Sequence, residues 1–475
     1  MKQMGSIVVL LVGICQFHLP LPAQTITQDE FLKQIVRVHP FFEKERLMPR
    51  IEEKERNSLL GAQDWNLLSS LNYSHEEPAI AIAGPEKTDA FSLEGGLEKV
   101  FWKTGGRLTA SFSSFHAEIE IDPIFGVPDT WFQNQFAVTY VHPLLKNKNG
   151  FLDRLQYDLK KFDIDFSEVQ SFENREDFLA GVALQFLDWV FLTEQRRIVE
   201  ERLKLSKEEL ERTRRKREAN LVEQADVIRA EDAVRIWKQN QVLVDSRWKA
   251  TQAELAVLSK NSDIYKLRPE FPLYEVIELI PLEEAVNELK ENSRLLAALD
   301  IRLGQLGHSR QGFEETLKPD LSLVTQFNIK NAAQSFGGSL KTDKPDALVG
   351  LQLSVPLGNR TAHYQIAKTD LQIAQLEREL EDLTLALEAA LTDIYIQIRE
   401  LEKVLRLNQE QIESARERTE EELKLYNQGR GELTFVIQSR DNEQNAQLTY
   451  AANAITYHKL LIEYRSLMDQ LYTVE

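Results

Sequence analysis

Two very long stretches of this chain contain no proline: one between Pro143 and Pro269, the other from Pro356 to the C-terminus. In a helix interior proline costs about 3 kcal/mol and glycine about 1 kcal/mol, so a stretch free of the first and poor in the second is free to be helical throughout. In the second stretch the only glycines are Gly358 at its entrance and Gly429 and Gly431 in its middle. The segment Tyr426-Asn427-Gln428-Gly429-Arg430-Gly431 is therefore its one reversal. In the first stretch the matching place is Arg217-Glu218-Ala219-Asn220, where Asn can take the left-handed conformation.

The two stretches belong to a unit written twice. Asp226-Val227-Ile228 aligns with Phe435-Val436-Ile437 at an offset of 209 residues, and His142-Pro143-Leu144 with Val355-Pro356-Leu357 at 213. Arg37-Val38-His39-Pro40 lines up with Glu291-Asn292-Ser293 at 253. Such a repeat fixes the architecture before any single residue does. Pro40 and Pro143 are 103 residues apart but Ser293 and Pro356 only 63, so the first copy carries 40 extra residues in its strand region.

Each copy has the same predicted order: a short helix (about 28–60 and 282–312), strands (about 64–142 and 319–355), then a long helical hairpin (about 151–260 and 361–470). The first helices of the hairpins, Phe151–Arg217 and Thr361–Asn427, hold 67 residues each. At 1.5 Å per residue each is roughly 100 Å long, which suits a coiled-coil spacer or a tunnel wall. Leu376, Leu380, Leu383, Leu387, Ala390, Ile394, Leu401 and Val404 follow steps of three and four, with Gln397 interrupting, the seam of interlocked helices.

The strand segments alternate. Leu321, Leu323, Phe327 and Ile329 face one way and Ser322, Gln326 and Asn328 the other; Val349, Leu351, Leu353 and Val355 oppose Gly350, Gln352 and Ser354. In the first copy Phe136, Val138 and Tyr140 oppose Gln135, Ala137 and Thr139. Period-two alternation fits a membrane barrel with a wet lumen, and equally a half-buried antiparallel sheet.

Composition narrows the classes. The formal net charge is −18, which opposes a nucleic-acid partner. No run of about 20 apolar residues follows the N-terminus; the best, Phe178–Leu192, contains Gln185 and Asp188. A membrane-bound form must therefore be a closed barrel, the alternative that satisfies every backbone group. Lys2, the apolar run from Ser6 to Ile14 and Leu21-Pro22-Ala23 read as a secretory signal peptide, residues 1–23, cleaved after Ala23. The one cysteine, Cys15, lies within it and is a candidate for lipidation, although Ile14 stands where a lipoprotein signal wants a small residue. No His-Glu-x-x-His or Gly-x-Ser-x-Gly spacing occurs, so neither metal, cofactor nor catalytic chemistry is expected.

Taken together, His39-Pro40 and Asn292-Ser293 after the opening helices, Pro143-Leu144 and Pro356-Leu357-Gly358 before the long helices, and the paired tips Asn220–Ile228 and Gly429–Ile437 resemble the TolC family of outer-membrane efflux channels. The likeness covers about residues 25 to 470, as a first repeat (24–265), a linker (266–281) and a second repeat (282–475). It implies a mainly α fold with a β-barrel portion: a trimer whose subunits each give about four strands to a twelve-stranded barrel in outer-membrane lipid. Long helices form a periplasmic tunnel. It also implies a passive duct for efflux or type I secretion, served by a periplasmic adaptor and, indirectly, an inner-membrane pump. Four strands cannot close a barrel around a lumen alone, which independently demands several copies. A soluble periplasmic coiled-coil scaffold is the alternative.

Two departures from the family pattern stand out. The 40 extra residues include Phe91–Phe101, a Trp102-Lys103-Thr104-Gly105-Gly106 turn and Arg107–Phe115. They read as a hairpin, either an extension at the extracellular mouth, the reading preferred on sequence, or two further strands. At the tip, family members often carry acidic residues in the second turn. Here Phe435 and Gln438 stand there, while Asp226 is acidic in the first copy. Asp226, Phe435, Gln438 and Tyr426 are the candidate gate, Asn220, Gly429 and Gly431 the tip turns. Arg214, Arg215 and Arg217, from a basic run, are candidate adaptor contacts or simply a charge cluster complementing a helix C-terminus.

Overall fold

The computed structural model describes residues 24–79, 84–122, 124 and 126–472; the leader, its cleavage site and Cys15 lie outside them. The chain divides into two compact units, one of residues up to Phe42, Glu176–Glu284 and Leu391 onward, the other of Glu43–Arg175 and Ala285–Ala390.

The repeat is carried into the backbone. Helices α3 (Phe151–Glu218) and α8 (Arg360–Asn427) are 68 residues long, and their partners α4 (Gln224–Leu258) and α9 (Leu433–Leu467) are 35. All four boundaries repeat at the offset of 209 found at the tips. The opening helices break where the sequence marks it: α1 (Gln28–Val38) passes to α2 (Pro40–Ser58) at His39-Pro40, and α5 (Leu282–Asn292) to α6 (Arg294–Leu317) at Ser293. Along α8 the buried seam runs through Leu387, Leu391, Ile398 and Leu405, while Val404 is exposed and Ala390 lies off the line.

The first unit is centred on helix packing. Phe31 and Ile35 of α1 are fully buried, with Phe31 5.5 Å from Phe186 of α3. Strands β1 (Thr25–Thr27) and β6 (Arg268–Glu270) pair in parallel, tying the start of the first copy to the linker. The linker is strapped to α9: the Ile277 N–H donates to the Tyr457 hydroxyl (2.8 Å), which donates in turn to the Ile277 carbonyl (3.2 Å).

The second unit carries a six-stranded antiparallel sheet, in the order β2 (Asn66–Glu76), β3 (Lys87–Phe101), β4 (Gly106–Glu120), β5 (Thr130–Pro143), β7 (Asp320–Ala333), β8 (Lys344–Ser354). The sheet thus holds six strands where the resemblance implies about four, and the two additional ones are the hairpin of the first copy. The structure also corrects the preferred reading of that hairpin as an outer extension. Its strands pair with each other along their whole length and with the flanking strands along most of it, β3 with β2 over Thr88–Glu98 and β4 with β5 over Arg107–Glu118. Its turn sits at the end of the sheet where the chain enters α3. A Cβ on Gly105 would lie 2.4 Å from the Asn147 carbonyl oxygen, and one on Gly150 only 1.9 Å from that of Trp102. Trp102, nearly buried, packs against Tyr157 of α3 at 5.5 Å.

Candidate functional site

The sheet has two chemically opposite faces. Register puts Leu67, Leu71 and Tyr73 of β2, Phe91, Leu93 and Leu97 of β3, and Ala110 and Phe112 of β4 on one side. Phe136 and Val138 of β5, Phe327 of β7, and Val349, Leu351 and Leu353 of β8 continue that side. These residues are largely open: Leu67, Val349 and Leu351 are 70–76 % exposed. On the other side stand Ser70 and Asn72 of β2, Glu94 and Glu98 of β3, and Gln326 and Asn328 of β7. A soluble single-layer sheet would bury its apolar face; an apolar face bare across six strands marks a surface for lipid or a partner.

Local features suit that face to a nonaqueous medium. Cross-strand neighbours Tyr73, Phe91, His116 and Phe132 form one aromatic-rich row toward the end remote from the helices. His116 and Phe132 stack at 4.1 Å. Asn134 and Asn331 are two of the polar residues on this face, and the short α7 (Phe336–Ser339) accepts from both: the Asn134 amide donates to Ser339 Oγ (2.6 Å) and that of Asn331 to the Gly338 carbonyl (3.2 Å). Burying an amide without such partners would cost several kcal/mol.

Among the described residues the two outer strands have no neighbour on their free sides. β2 is exposed at all its residues and β8 at nearly all, 11 residues each. Each of the six strands has 11 to 15 residues, enough for the 9–11 a tilted membrane strand requires. Among the described residues no helix is long and apolar enough to cross a membrane.

The tips form a second constellation, within the first unit. Asn220 and Gly429 hold the left-handed conformation (φ 58° and 72°) that ends α3 and α8. Leu221 N–H donates to the Lys216 carbonyl (2.8 Å) and Arg430 N–H to that of Leu425 (3.0 Å), the same capping pattern 209 residues apart. Gly431 donates to the Leu425 carbonyl, and a Cβ there would crowd the Tyr426 backbone at 3.0 Å.

Tyr426 lies in the core between the hairpins, packed with Leu210, Val227, Leu433 and Val436. The Lys216 ammonium sits over its ring at 3.5 Å and donates to its carbonyl. Burial pushes the Tyr426 hydroxyl up and the Lys216 ammonium down from their ordinary pKa values. Phe435 and Gln438 are exposed on one face of α9, and Phe435 is 47 % open. Asp226 occupies the equivalent place on α4, where its carboxylate accepts from the Glu223 N–H (3.2 Å) as half of a capping box and pairs with Arg229 at 2.9 Å. Arg214 is engaged by Glu211 and Glu231, and Arg217 donates to the Val222 carbonyl; Arg215 is exposed.

Sequence reading missed a buried ionic cluster above the tips. Arg202, 2 % exposed, bonds Ser206 Oγ (2.6 Å) and pairs with Glu209 (3.5 Å) and Asp441 (2.8 Å). Glu209 also contacts Arg440, and the Trp237 indole donates to Asp441 (3.3 Å). The cluster joins α3, α4 and α9. Burial holds the Glu209 carboxyl above its ordinary pKa despite the two guanidinium groups. The spacing of seven between Arg202 and Glu209, beside Leu203 and Leu210, was the available signal that these charges share an inward face.

No protein-family model matches the sequence, and no curated protein does. Solved structures do. The outer-membrane protein VceC of Vibrio cholerae superposes with a TM-score of 0.66 at 9 % identity, over 93 % of this chain and 96 % of that one. A membrane protein of Pseudomonas aeruginosa gives 0.69 at 13 %, over 93 % of each chain. The MtrE outer-membrane channel of Neisseria gonorrhoeae, in its open state, gives 0.65 at 13 %, over 94 % of this chain and 89 % of that one.

Proposed function

We propose, from the TolC-type fold that this chain shares with those outer-membrane proteins, that it is one subunit of a trimeric exit duct, with its sheet in the outer membrane and its helices in the periplasm. The duct performs no chemistry; it passes cargo chosen by an inner-membrane pump and delivered through a periplasmic adaptor. The observation that carries this reading is the six-stranded sheet whose apolar face is bare and whose two edges are free. Hydrocarbon rewards the first and forbids the second unless neighbouring copies close the ring.

The tips supply the closure. A side chain facing a three-fold axis appears three times, so Phe435 would form an apolar constriction that closes by dewetting, with Gln438 beside it. Asp226 would add a ring of negative charge that draws cations. Arg215, with Arg214 and Arg217 nearby, is the basic patch offered to the adaptor.

Membrane fractionation tests the main reading. The channel must be recovered from the outer membrane, and only with detergent, as a trimer. A soluble periplasmic monomer or dimer would replace it with the coiled-coil scaffold.

A further inference from the structure

We propose that the assembled barrel has eighteen staves rather than twelve, with β8 of each copy pairing with β2 of the next. The proposal rests on the trimeric-channel reading above and departs from the barrel that the resemblance implies.

The β3–β4 hairpin is built as wall. Its apolar side chains Phe91, Leu93, Leu97 and Phe112 continue the band formed by Leu71 on one flank and Phe136 and Val138 on the other. Its other face carries Glu94 and Glu98, with Glu98 3.6 Å from Arg107 across the hairpin. An extension standing clear of the membrane would need neither the apolar stripe nor two long paired flanks. The docked turn is a further constraint: Trp102 and Gly105 pack into the junction of sheet and α3, so β3 ends and β4 starts at the rim where β5 ends.

The free edges match each other. β2 and β8 are both 11 residues long and both lack a neighbour among the described residues. Since six is even and every pairing is antiparallel, β8 runs opposite to β2, and a second copy meets the edge in the sense the rest of the sheet uses. The seam therefore needs no reversal or crossover, and repetition about an axis closes the ring.

Size follows from strand number. With strands about 4.8 Å apart and tilted by about 40°, eighteen staves give a backbone diameter of roughly 36 Å, against roughly 24 Å for twelve. The barrel cross-section is then a little over twice that of a twelve-stave ring, by roughly the square of the strand ratio. The chemical class this favours is bulky hydrated cargo, because the inner face is Ser, Asn, Gln and Glu rather than apolar.

Two measurements on the full-length channel in detergent decide it, in a Cys15→Ser background. The first is native mass, which counts copies. The second is pulsed electron spin resonance between nitroxides on Gln135→Cys, which lies on the polar face of β5. Three equivalent labels stand √3 radii apart, so eighteen staves place them about 30 Å apart and twelve about 20 Å. A trimer with the longer distance is expected, together with disulfide cross-linking between copies when Ser70→Cys on β2 is combined with Gly350→Cys or Gln352→Cys on β8. A trimer with the shorter distance overturns the eighteen-stave barrel and leaves the channel intact. A two-copy mass would leave twelve staves and overturn this inference along with the trimer. A soluble monomer would remove the channel reading on which both stand.

Discussion

Arg202 of α3 and Asp441 of α9, 239 residues apart in the chain, meet at 2.8 Å, and the pair closes over a second carboxylate, Glu209, that is almost wholly buried. The two carboxylates are not equivalent. Asp441 is 39 % exposed at its side chain and Glu209 only 5 %.

Arg202→Met should therefore be costly because of Glu209. Removing one partner of a buried ion pair costs about 3–5 kcal/mol when the other charge is left unpaired; Arg440 still pairs with Glu209, so the loss here should fall below that range. Asp441→Asn removes the charge of a partly exposed partner but keeps an oxygen that can accept from Arg202 and Trp237, and should cost less than Arg202→Met. Amide hydrogen exchange is the readout. Arg202→Met should speed exchange in the first turns of α4 and α9 and leave the sheet unchanged. Equal protection in both variants would mean that the cluster contributes nothing to tip stability.

Tip capping gives a second test. Asp226 completes a capping box on α4 that α9 lacks, because Phe435 occupies the matching position. Asp226→Ala should cost about 1 kcal/mol of local stability. Phe435→Ala should leave the cap alone and raise the resting single-channel conductance. If Phe435→Ala lowers the thermal midpoint while conductance stays fixed, Phe435 is packing and the constriction lies elsewhere.

His458 sets a pH dependence. Its imidazole is buried, with Nε2 3.0 Å from the Leu273 carbonyl, and burial holds its pKa below the ordinary 6.5. Between that lowered value and 6.5 the unfolded chain binds a proton that the folded chain refuses, so stability falls as pH drops below about 6.5. His39 is shifted the same way, also first by burial. Groups shifted up, such as Glu209, act in the opposite sense, so the test is the difference: between pH 7.5 and 5.5 the thermal midpoint should lose more, or gain less, in the wild type than in His458→Gln. An unaltered slope in the variant would exclude His458 as a source.

Two glycines separate backbone freedom from close packing. Gly150→Ala places a methyl inside the van der Waals radius of the Trp102 carbonyl, at a φ of +64°. It should abolish recovery of folded assemblies. Gly181, within α3, has no atom within 4 Å of an added Cβ. Gly181→Ala should raise stability by about 0.5–1 kcal/mol, measured as an upward shift in thermal midpoint.

The helical repeat was legible in the sequence because proline and glycine punctuate helices sharply, and Asn220 and Gly429 mark their own turns. Tip and helix boundaries recur at one offset. The strand alternation of β5, β7 and β8 was equally clear. The position of the hairpin was not. Gly105-Gly106 announces a turn without saying at which rim it sits, and that depends on contacts with Asn147 and Gly150 formed only in the fold. A usable signal existed: the connection from Phe101 to Gly106 is short, whereas Glu76 to Lys87 and Glu120 to Thr130 are long. Outer-membrane barrels keep their short turns on the periplasmic side. Arg202 and Glu209 were hidden for another reason. Charge on a long helix is usually solvated, and only a partner 239 residues away makes it interior.

The hairpin leaves and rejoins the sheet at neighbouring strands, with β2 rising to the far rim and β5 descending from it. Removing everything between them would still leave two adjacent antiparallel strands joined at that rim. In the proposed barrel, girth would thus be a modular trait. It changes by whole hairpins, two staves per subunit, without altering the direction in which the chain enters α3 or the parity that lets copies join. A lineage with this topology can widen or narrow its outer mouth by insertion or loss of one contiguous segment, while the duplicated helices and their matched tips are inherited unchanged.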